Sequence, residues 1–328
     1  MTPAFRLVVD GVDISATVKP RLSSLTLTEK RGDEADQLDL VLTDQDGQLK
    51  IPPKGARISL ALGYVGQLVE KGSFKVDELE WSGAPDILTI KARAADFTAD
   101  LSTRRDGSWR DTTLGAVLGA VAGRNGLEAR IAADLASVAL PLVTQSRESD
   151  LALIRRLGRE NDAVATIKDG NLIFARVGSG RTAGGRDIPS TTLSRRDGDR
   201  YTWSSADRDS DQSGSGQSRG VRARWRSVAG ATTHTVLVGP ARGARRLPRI
   251  YASEDASTRA AQAAYDRRAR KKATFSLTLA LGRPDLYPER RLKLQGFKSM
   301  VDEATWLIEE VRHQLGEGLT TDLTLEAV

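Results

Sequence analysis

Short runs of alternating apolar and polar residues, each stopped by a turn signal, open and close this chain of 328 residues. Phe5 to Val9 gives way to Asp10-Gly11, and Leu25-Thr26-Leu27-Thr28 alternates. So does Leu38 to Leu42, ahead of Asp46-Gly47 and Pro52-Pro53. Ile58 to Leu62, Phe74 to Leu79 and Ile87 to Ile90 follow. Side chains of a strand point alternately to its two faces, so these runs predict short half-buried strands, and their spacing predicts a sandwich or barrel. The pattern returns at Phe275 to Leu279, Leu292 to Leu294, Trp306 to Ile308 and Leu323 to Leu325. The two ends also echo each other. RISLALGY at 57–64 is answered by RLKLQGF at 291–297. An aromatic follows each glycine after ten or eleven residues, Phe74 in FKVDELEW and Trp306 in WLIEEVRH, and then come LTI at 88–90 and LTL at 323–325. The order and spacing predict a duplicated β domain whose copies flank the middle of the chain.

The middle changes period. Leu114, Val117, Leu118 and Val121 lie at i, i+3, i+4, i+7, one face of an amphipathic helix. Asp111 or Thr112 is its expected N-cap, and Gly123 and Asn125-Gly126 its stop. A second helix is predicted over 147–160, capped by Ser146 or Ser149, with Leu151, Ile154 and Leu157 on one face. Ala163 to Ile167, Asp169-Gly170 and Leu172 to Phe174 read as a hairpin. Residues 178–187 read as a linker or long loop, and 207–218, which hold no apolar anchor, as an exposed loop of low stability. Strands are expected at Val221 to Trp225 and Thr235 to Val238, and a helix rich in Ala and Arg at 255–272. The expected fold class is mainly β with a small α/β unit. A first β-barrel domain is expected over 1–105, the α/β unit over 106–179, and a related second barrel, with the helix near 255–272, over 180–328.

Composition narrows the chemistry. There is no cysteine, which removes disulfides, thiolate catalysis and Cys-ligated zinc. The two histidines, His234 and His313, are too few and too far apart in sequence to suggest a metal or triad site. The start, MTPAFRLVVDGVD, is not a signal peptide, and no run approaches the ~18–20 apolar residues that span a bilayer, so no membrane partner is expected. The net charge of +6 is uneven. Residues 1–100 hold 12 Lys/Arg against 16 Asp/Glu, a net of −4, while 181–272 hold 20 against nine, a net of +11. Such asymmetry suits a protein interface, or alternatively a basic nucleic-acid-binding regulatory protein.

No P-loop, GxSxG elbow, HExxH or CxxC occurs, and the Gly-rich stretch at 178–185 lacks the strand–helix frame of a dinucleotide site. Asp77, Glu78 and Glu80 cluster, but Asp77 and Glu78 fall on opposite faces of a strand and Glu78 shares a face with Glu80. They read as a polar strand face, and not as the carboxylate pair of a glycosidase. Tyr64, Trp81, Trp109 and Trp203 are scattered and form no stacking platform for single strands. No catalytic, cofactor-binding or metal residue is assigned, no cofactor is expected, and the chain is not expected to be an enzyme. The helix at 111–123 is too apolar and too rich in small residues for a DNA-recognition helix.

Several stretches resemble the late control protein D family of contractile-tail phages. They are VDGVDIS at 9–15, PRLSSLTLTEKRGDEADQLDLVLTDQDGQL at 20–49 and GYVGQLVEKGSFKVDELEWSGAPDILTIKARAADF at 63–97. SWRDTTLGAVLGAVAGRNGL at 108–127 and LYPERRLKLQGFKSMVDEATWLIEEVRHQL at 286–315 are also similar. The strongest is QSRESDLALIRRLGRENDAVATIKDGNLIF at 145–174, with its ESDL helix start and KDG turn. Similar sequence occurs in the amino-terminal part of type VI secretion spike proteins. The resemblance implies two tube-like barrels in a structural baseplate hub of the virion tail, assembled in the host cytoplasm. It further implies a homotrimer that joins a sixfold tail tube to a threefold central spike. The implied partners are the spike protein, a tail tube or tube-initiator protein and the tape-measure protein, with no specific nucleic acid. The family carries no catalytic residues to transfer, and Ser149 and Asp150 of the ESDL start read as a folding signature at a helix amino terminus.

Overall fold

A computed structural model describes residues 1–32, 35–94, 99–168, 170–205, 219–227 and 230–328. The loop predicted at 207–218 lies outside the described residues. The chain is mostly β, as the alternation predicts, and divides into two compact units. One comprises residues 1–97, 190–202 and 275–325, the other 98–189, 203–274 and 326–328. The sequence-derived boundaries differ from this partition: residues 203–274, assigned above to the second β domain, cluster with the α/β segment. Periodicity reveals what kind of element a segment forms, and not which core it joins.

Among the described residues the first unit is built on one sheet of thirteen strands, three of which run two or three residues past its bounds. Twelve carry its architecture. Before the central segment come β1 (Pro3–Val9), β2 (Leu22–Lys30), β3 (Gln37–Thr43), β4 (Arg57–Tyr64), β5 (Gln67–Ser82) and β6 (Ile87–Ala94). After it come β7 (Thr191–Ser194), β8 (Gly198–Ser205), β9 (Ala273–Leu279), β10 (Arg291–Gln295), β11 (Thr305–Leu315) and β12 (Leu319–Ala327). The first six are ordered β2-β3-β6-β5-β4-β1 across the sheet. The second six are ordered β8-β9-β12-β11-β10-β7. Each strand of the second set therefore occupies the place of the strand six earlier. RISLALGY is β4 and RLKLQ is β10, so Leu60 and Leu294 sit on corresponding strands, both buried. One difference breaks the parallel: β1 pairs β4 antiparallel, whereas β7 pairs β10 parallel. The two sets are joined because β11 also pairs antiparallel with β2.

Alternation places the core. Leu25 and Leu27 of β2, Leu38, Leu40 and Leu42 of β3, and Phe275, Leu277 and Leu279 of β9 are all buried, with polar or half-buried residues between them. Each such Leu or Phe contributes about 1.5–3 kcal/mol by leaving water. Aromatics are few, and one of the five tryptophans, Trp306, is fully buried beside Phe275 at 5.5 Å between ring centroids, its indole N–H donating to the Val301 carbonyl at 2.9 Å.

In the second unit, helices α1 (Leu114–Arg124) and α2 (Asp150–Glu160) pack with a hairpin, Ala163–Lys168 and Asn171–Arg176, and with the strand Glu128–Ile131. The cap of α1 is Thr113, whose hydroxyl accepts from the Ala116 N–H, rather than Asp111 or Thr112. Those two residues end a strand, Arg104–Thr113, that runs directly into the helix. Ser149 caps α2, one of the two residues foreseen. Helix α3 (Glu254–Arg270) packs Ala261 on Val221 and Ala223 of a three-stranded sheet formed by Thr233–Val238, Val221–Arg226 and Arg245–Tyr251. Among the described residues no helix is long and apolar enough to cross a membrane.

Candidate functional site

The acidic cluster of β5 is a strand surface. Glu78 accepts from Lys91 at 2.9 Å and Asp77 from Arg93 at 2.9 Å, both on the neighbouring β6, and Glu80 is exposed. Nothing shields these carboxylates or aims them across a cleft. Among the described residues no group of three or more His, Asp or Glu is arranged to hold a metal. The two histidines lie on strands of different units. His234 stacks on Trp225 at 4.5 Å between centroids, its Nε2 3.0 Å from the Thr232 hydroxyl. His313 on β11 is wholly buried. Its Nδ1 meets the Thr321 hydroxyl at 2.9 Å and its Nε2 lies 3.4 Å from Glu29, which also pairs with buried Lys71 at 2.5 Å. Burial holds the His313 pKa below its ordinary value, with Lys71 adding to that and Glu29 opposing it.

The ESDL start forms a buried polar cluster of the second unit. Ser149 acts as predicted, but Asp150 does more than meet the helix amino terminus. Its side chain is fully buried and accepts from Arg124 Nε at 2.7 Å, Asn125 Nδ2 at 2.8 Å and Gln145 Nε2 at 2.8 Å. Burial alone would raise its pKa, but the donors Arg124, Gln145 and Asn125 outweigh that and hold it below the ordinary value. The cluster ties the end of α1 to the start of α2, which is scaffold chemistry. The Arg-Asn pair closing α1 was the available signal for it in the sequence.

The basic strand Val221–Arg226 turns Val221 and Ala223 towards α3 and, by alternation, Arg222, Arg224 and Arg226 to the opposite face. Exposed Leu237 and Ile250 sit beside Arg222 and Arg224 on the flanking strands. The surface of α1 left outside the core carries Gly115, Ala116, Gly119, Ala120 and Gly123, whose side chains offer no hydrogen bond to a base edge, and Arg124, whose guanidinium is held by Asp150.

What remains open is backbone. Among the described residues β8 is terminal in the sheet order, paired on one side with β9. β5 pairs β4 as far as Lys75, its Val76 bonds the backbone of Gly55 and Ala56, and from Glu78 to Ser82 it pairs β6 alone, among the described residues. Exposed aromatics mark both edges, Trp81 on β5 and Tyr201 and Trp203 on β8. Of the scattered aromatics, Tyr64 is buried and donates to the Gly282 carbonyl at 2.9 Å, and Trp109 lies under the Arg124 guanidinium at 5.7 Å.

Residues 16–319 match the model of the family described as phage tail baseplate hub (GPD). The chain is 40% identical to the "Probable baseplate hub protein" of Escherichia phage 186, over 99% of this chain and 93% of that protein. It is equally similar to the "Probable baseplate hub protein" of Escherichia phage P2, at 40% identity with the same coverage. The fold is similar to that of a tail protein from Neisseria meningitidis MC58, with a TM-score of 0.72 and 14% identity over 99% of this chain and 97% of that one. It is also similar to an E. coli component of the type VI secretion system, with a TM-score of 0.56 and 15% identity over 94% of this chain and 74% of that one. The sequence resemblance, the two-set sheet and these matches agree: the chain belongs to the phage tail baseplate hub family, structural proteins of the virion's tail baseplate.

Proposed function

We propose that the chain is a static adaptor that closes into a ring of three copies and joins a sixfold tail tube to a threefold central spike. The observation that carries this reading is the repeated strand order, β2-β3-β6-β5-β4-β1 and β8-β9-β12-β11-β10-β7, within one chain. Each copy then contributes two related barrel-like modules, and three copies offer six near-equivalent modules to a tail tube or tube-initiator protein. The second unit occurs once per chain, so it keeps threefold order and is available to the spike. A closed ring needs head-to-tail contacts between unlike surfaces. The acidic first hundred residues and the basic 181–272 segment favour such contacts and orient assembly. The tape-measure protein is a further partner of the ring. The protein works by binding alone, without turnover. Imaging the particle with this chain labelled tests the reading: three copies with six modules around one ring are expected. A true hexamer of the chain, or two modules that do not share one ring, overturns it.

A further inference from the structure

The sheet of the first unit contains, inside one chain, a template for what covers its own open edges. β11 is the counterpart of β5, and β2 of β8. β11 lays its first residues against β10 and its remainder against β2, with Arg312 opposite Thr28, His313 opposite Leu27 and Gln314 opposite Thr26. β5 performs only the first half of this: it pairs β4 to Lys75, its Val76 bonds the backbone of Gly55 and Ala56, and among the described residues no strand pairs that edge from Asp77 to Ser82.

The registers identify the matching positions. Phe74 lies opposite Ile58, and Trp306 opposite Leu292, in corresponding hairpins. Counting onward, Glu80 matches Arg312 and Trp81 matches His313. On the other edge, Ser276 Oγ donates to the Thr202 carbonyl and the Ser204 and Thr274 hydroxyls meet at 2.7 Å, which sets Trp203 opposite Phe275. Leu27 lies opposite Leu38, and Leu38 and Phe275 each begin the same run of three buried alternate residues. Trp203 therefore matches Leu27, Tyr201 matches Leu25 and Ser204 matches Thr28.

Burial separates the two sets. Leu25, Leu27 and His313 are 0% exposed, whereas Tyr201, Trp203 and Trp81 are 45%, 41% and 57% exposed. Positions that are core at the interior junction are partly exposed aromatics at the ends of the sheet, with Tyr201 packed on one side against Phe297 and Phe275. An edge strand with exposed apolar side chains is a pairing hazard unless something covers it.

We propose that β5 of one copy pairs antiparallel with β8 of the next copy, in the register β11 uses on β2, setting Trp81 opposite Trp203, Glu80 opposite Ser204 and Ser82 opposite Thr202. The occupant of each edge is a second copy of this chain. The proposal rests on the ring reading above and adds the strands, register and side chains that close it. It also accounts for partner choice. The interior junction is polar, with the His313 imidazole of β11 beside Glu29 of β2, whose carboxylate is held by Lys71. Glu29 corresponds to Ser205 and His313 to Trp81, so the junction between copies is aromatic instead. A β5 edge that displaced β11 from another copy's β2 would set an indole where Glu29 has an imidazole, which disfavours the wrong pairing.

The chain has no cysteine, so an engineered pair reports on the junction directly. Residues directly opposite on antiparallel strands place their Cβ atoms about 4.5–5.5 Å apart, within reach of a disulfide after small adjustment. The double variant Glu80→Cys, Ser204→Cys, oxidised mildly, should give a covalent ladder that ends at three copies. The off-register pair Ser82→Cys, Ser204→Cys should link far less. Trp81→Ala should weaken association about tenfold or more, as truncation of a central aromatic does, while leaving the unfolding temperature of the dissociated chain unchanged. If light scattering finds trimers but the in-register pair does not link, or the off-register pair links equally well, the junction is wrong and the ring reading survives. If the chain stays monomeric at concentrations of about 100 μM, near the upper end of ordinary association assays, both are overturned.

Discussion

Replacing Asp150 with alanine should loosen the second unit by an amount that can be worked from its partners. The carboxylate is fully buried and accepts from Arg124, Asn125 and Gln145. Removing one partner of a buried ion pair costs about 3–5 kcal/mol. Arg124 is 32% exposed and can turn towards water, but Gln145, only 2% exposed, cannot. The low end of the range follows, about 3 kcal/mol, or a fall of about 6–12 °C in Tm for a unit of this size. Urea and thermal unfolding followed by circular dichroism measure it. The pH dependence gives a second arm. The folded-state pKa of Asp150 lies below its unfolded value, so its stabilisation is fully present above about pH 3.9 and is lost as pH falls through the folded value. Wild type and Asp150→Ala should therefore converge in stability only in acid. A loss below about 1 kcal/mol, the size of an ordinary net hydrogen bond, or a gap that stays constant down to low pH, would refute this account of the ESDL start.

Two further outcomes follow from close packing and from burial. Gly158→Ala should destabilise by about 1–3 kcal/mol despite the better helix propensity of alanine, because the new Cβ would lie 2.7 Å from the Ala165 Cβ; chemical denaturation checks this, and a gain in stability would contradict it. His313 has a depressed folded-state pKa, so its neutral form stabilises the first unit above about pH 6.5 and that contribution is lost as pH falls through the folded value. His313→Gln should flatten the pH dependence of unfolding on the acid side of that point, and an unchanged slope would exclude His313 as its source.

Strands were legible wherever one face is core and the other polar, because Leu25-Thr26-Leu27 or Leu38-Asp39-Leu40 writes its burial directly into the sequence. The echo of β4 by β10 was legible for the same reason. The cap of α1 was missed because Asp111 and Thr112 are good caps in isolation, whereas here they finish a strand that hands over at Thr113. The affiliation of residues 203–274 was invisible, since no local pattern states which core a strand will join. Asp150 was recognised as a helix-start residue, but its partners lie 5, 25 and 26 positions away, beyond any local motif. The open edges could be found only once the strand order was known, because Trp81 and Trp203 look like isolated surface aromatics in the sequence.

The unequal hairpins of the two strand sets bear on the order in which the chain folds. Between β2 and β3 the chain spends only residues 31–36, whereas between β8 and β9 it passes through residues 206–272, including α3. A tenfold longer excursion raises the entropic cost of closure by about 2 kcal/mol for a flexible loop, and folding the excursion first removes most of that cost. The first six strands can therefore form from local contacts as soon as residues 1–94 leave the ribosome, while β9 to β12 must wait for the second unit. During that interval β2 offers an uncovered edge, which only β11, from the far end of the chain, later fills. Pulse-labelled hydrogen exchange should find the amides of β3 and β4 protected before those of β9 and β12. The completed first half acts meanwhile as a scaffold on which the last strands of the same chain are laid.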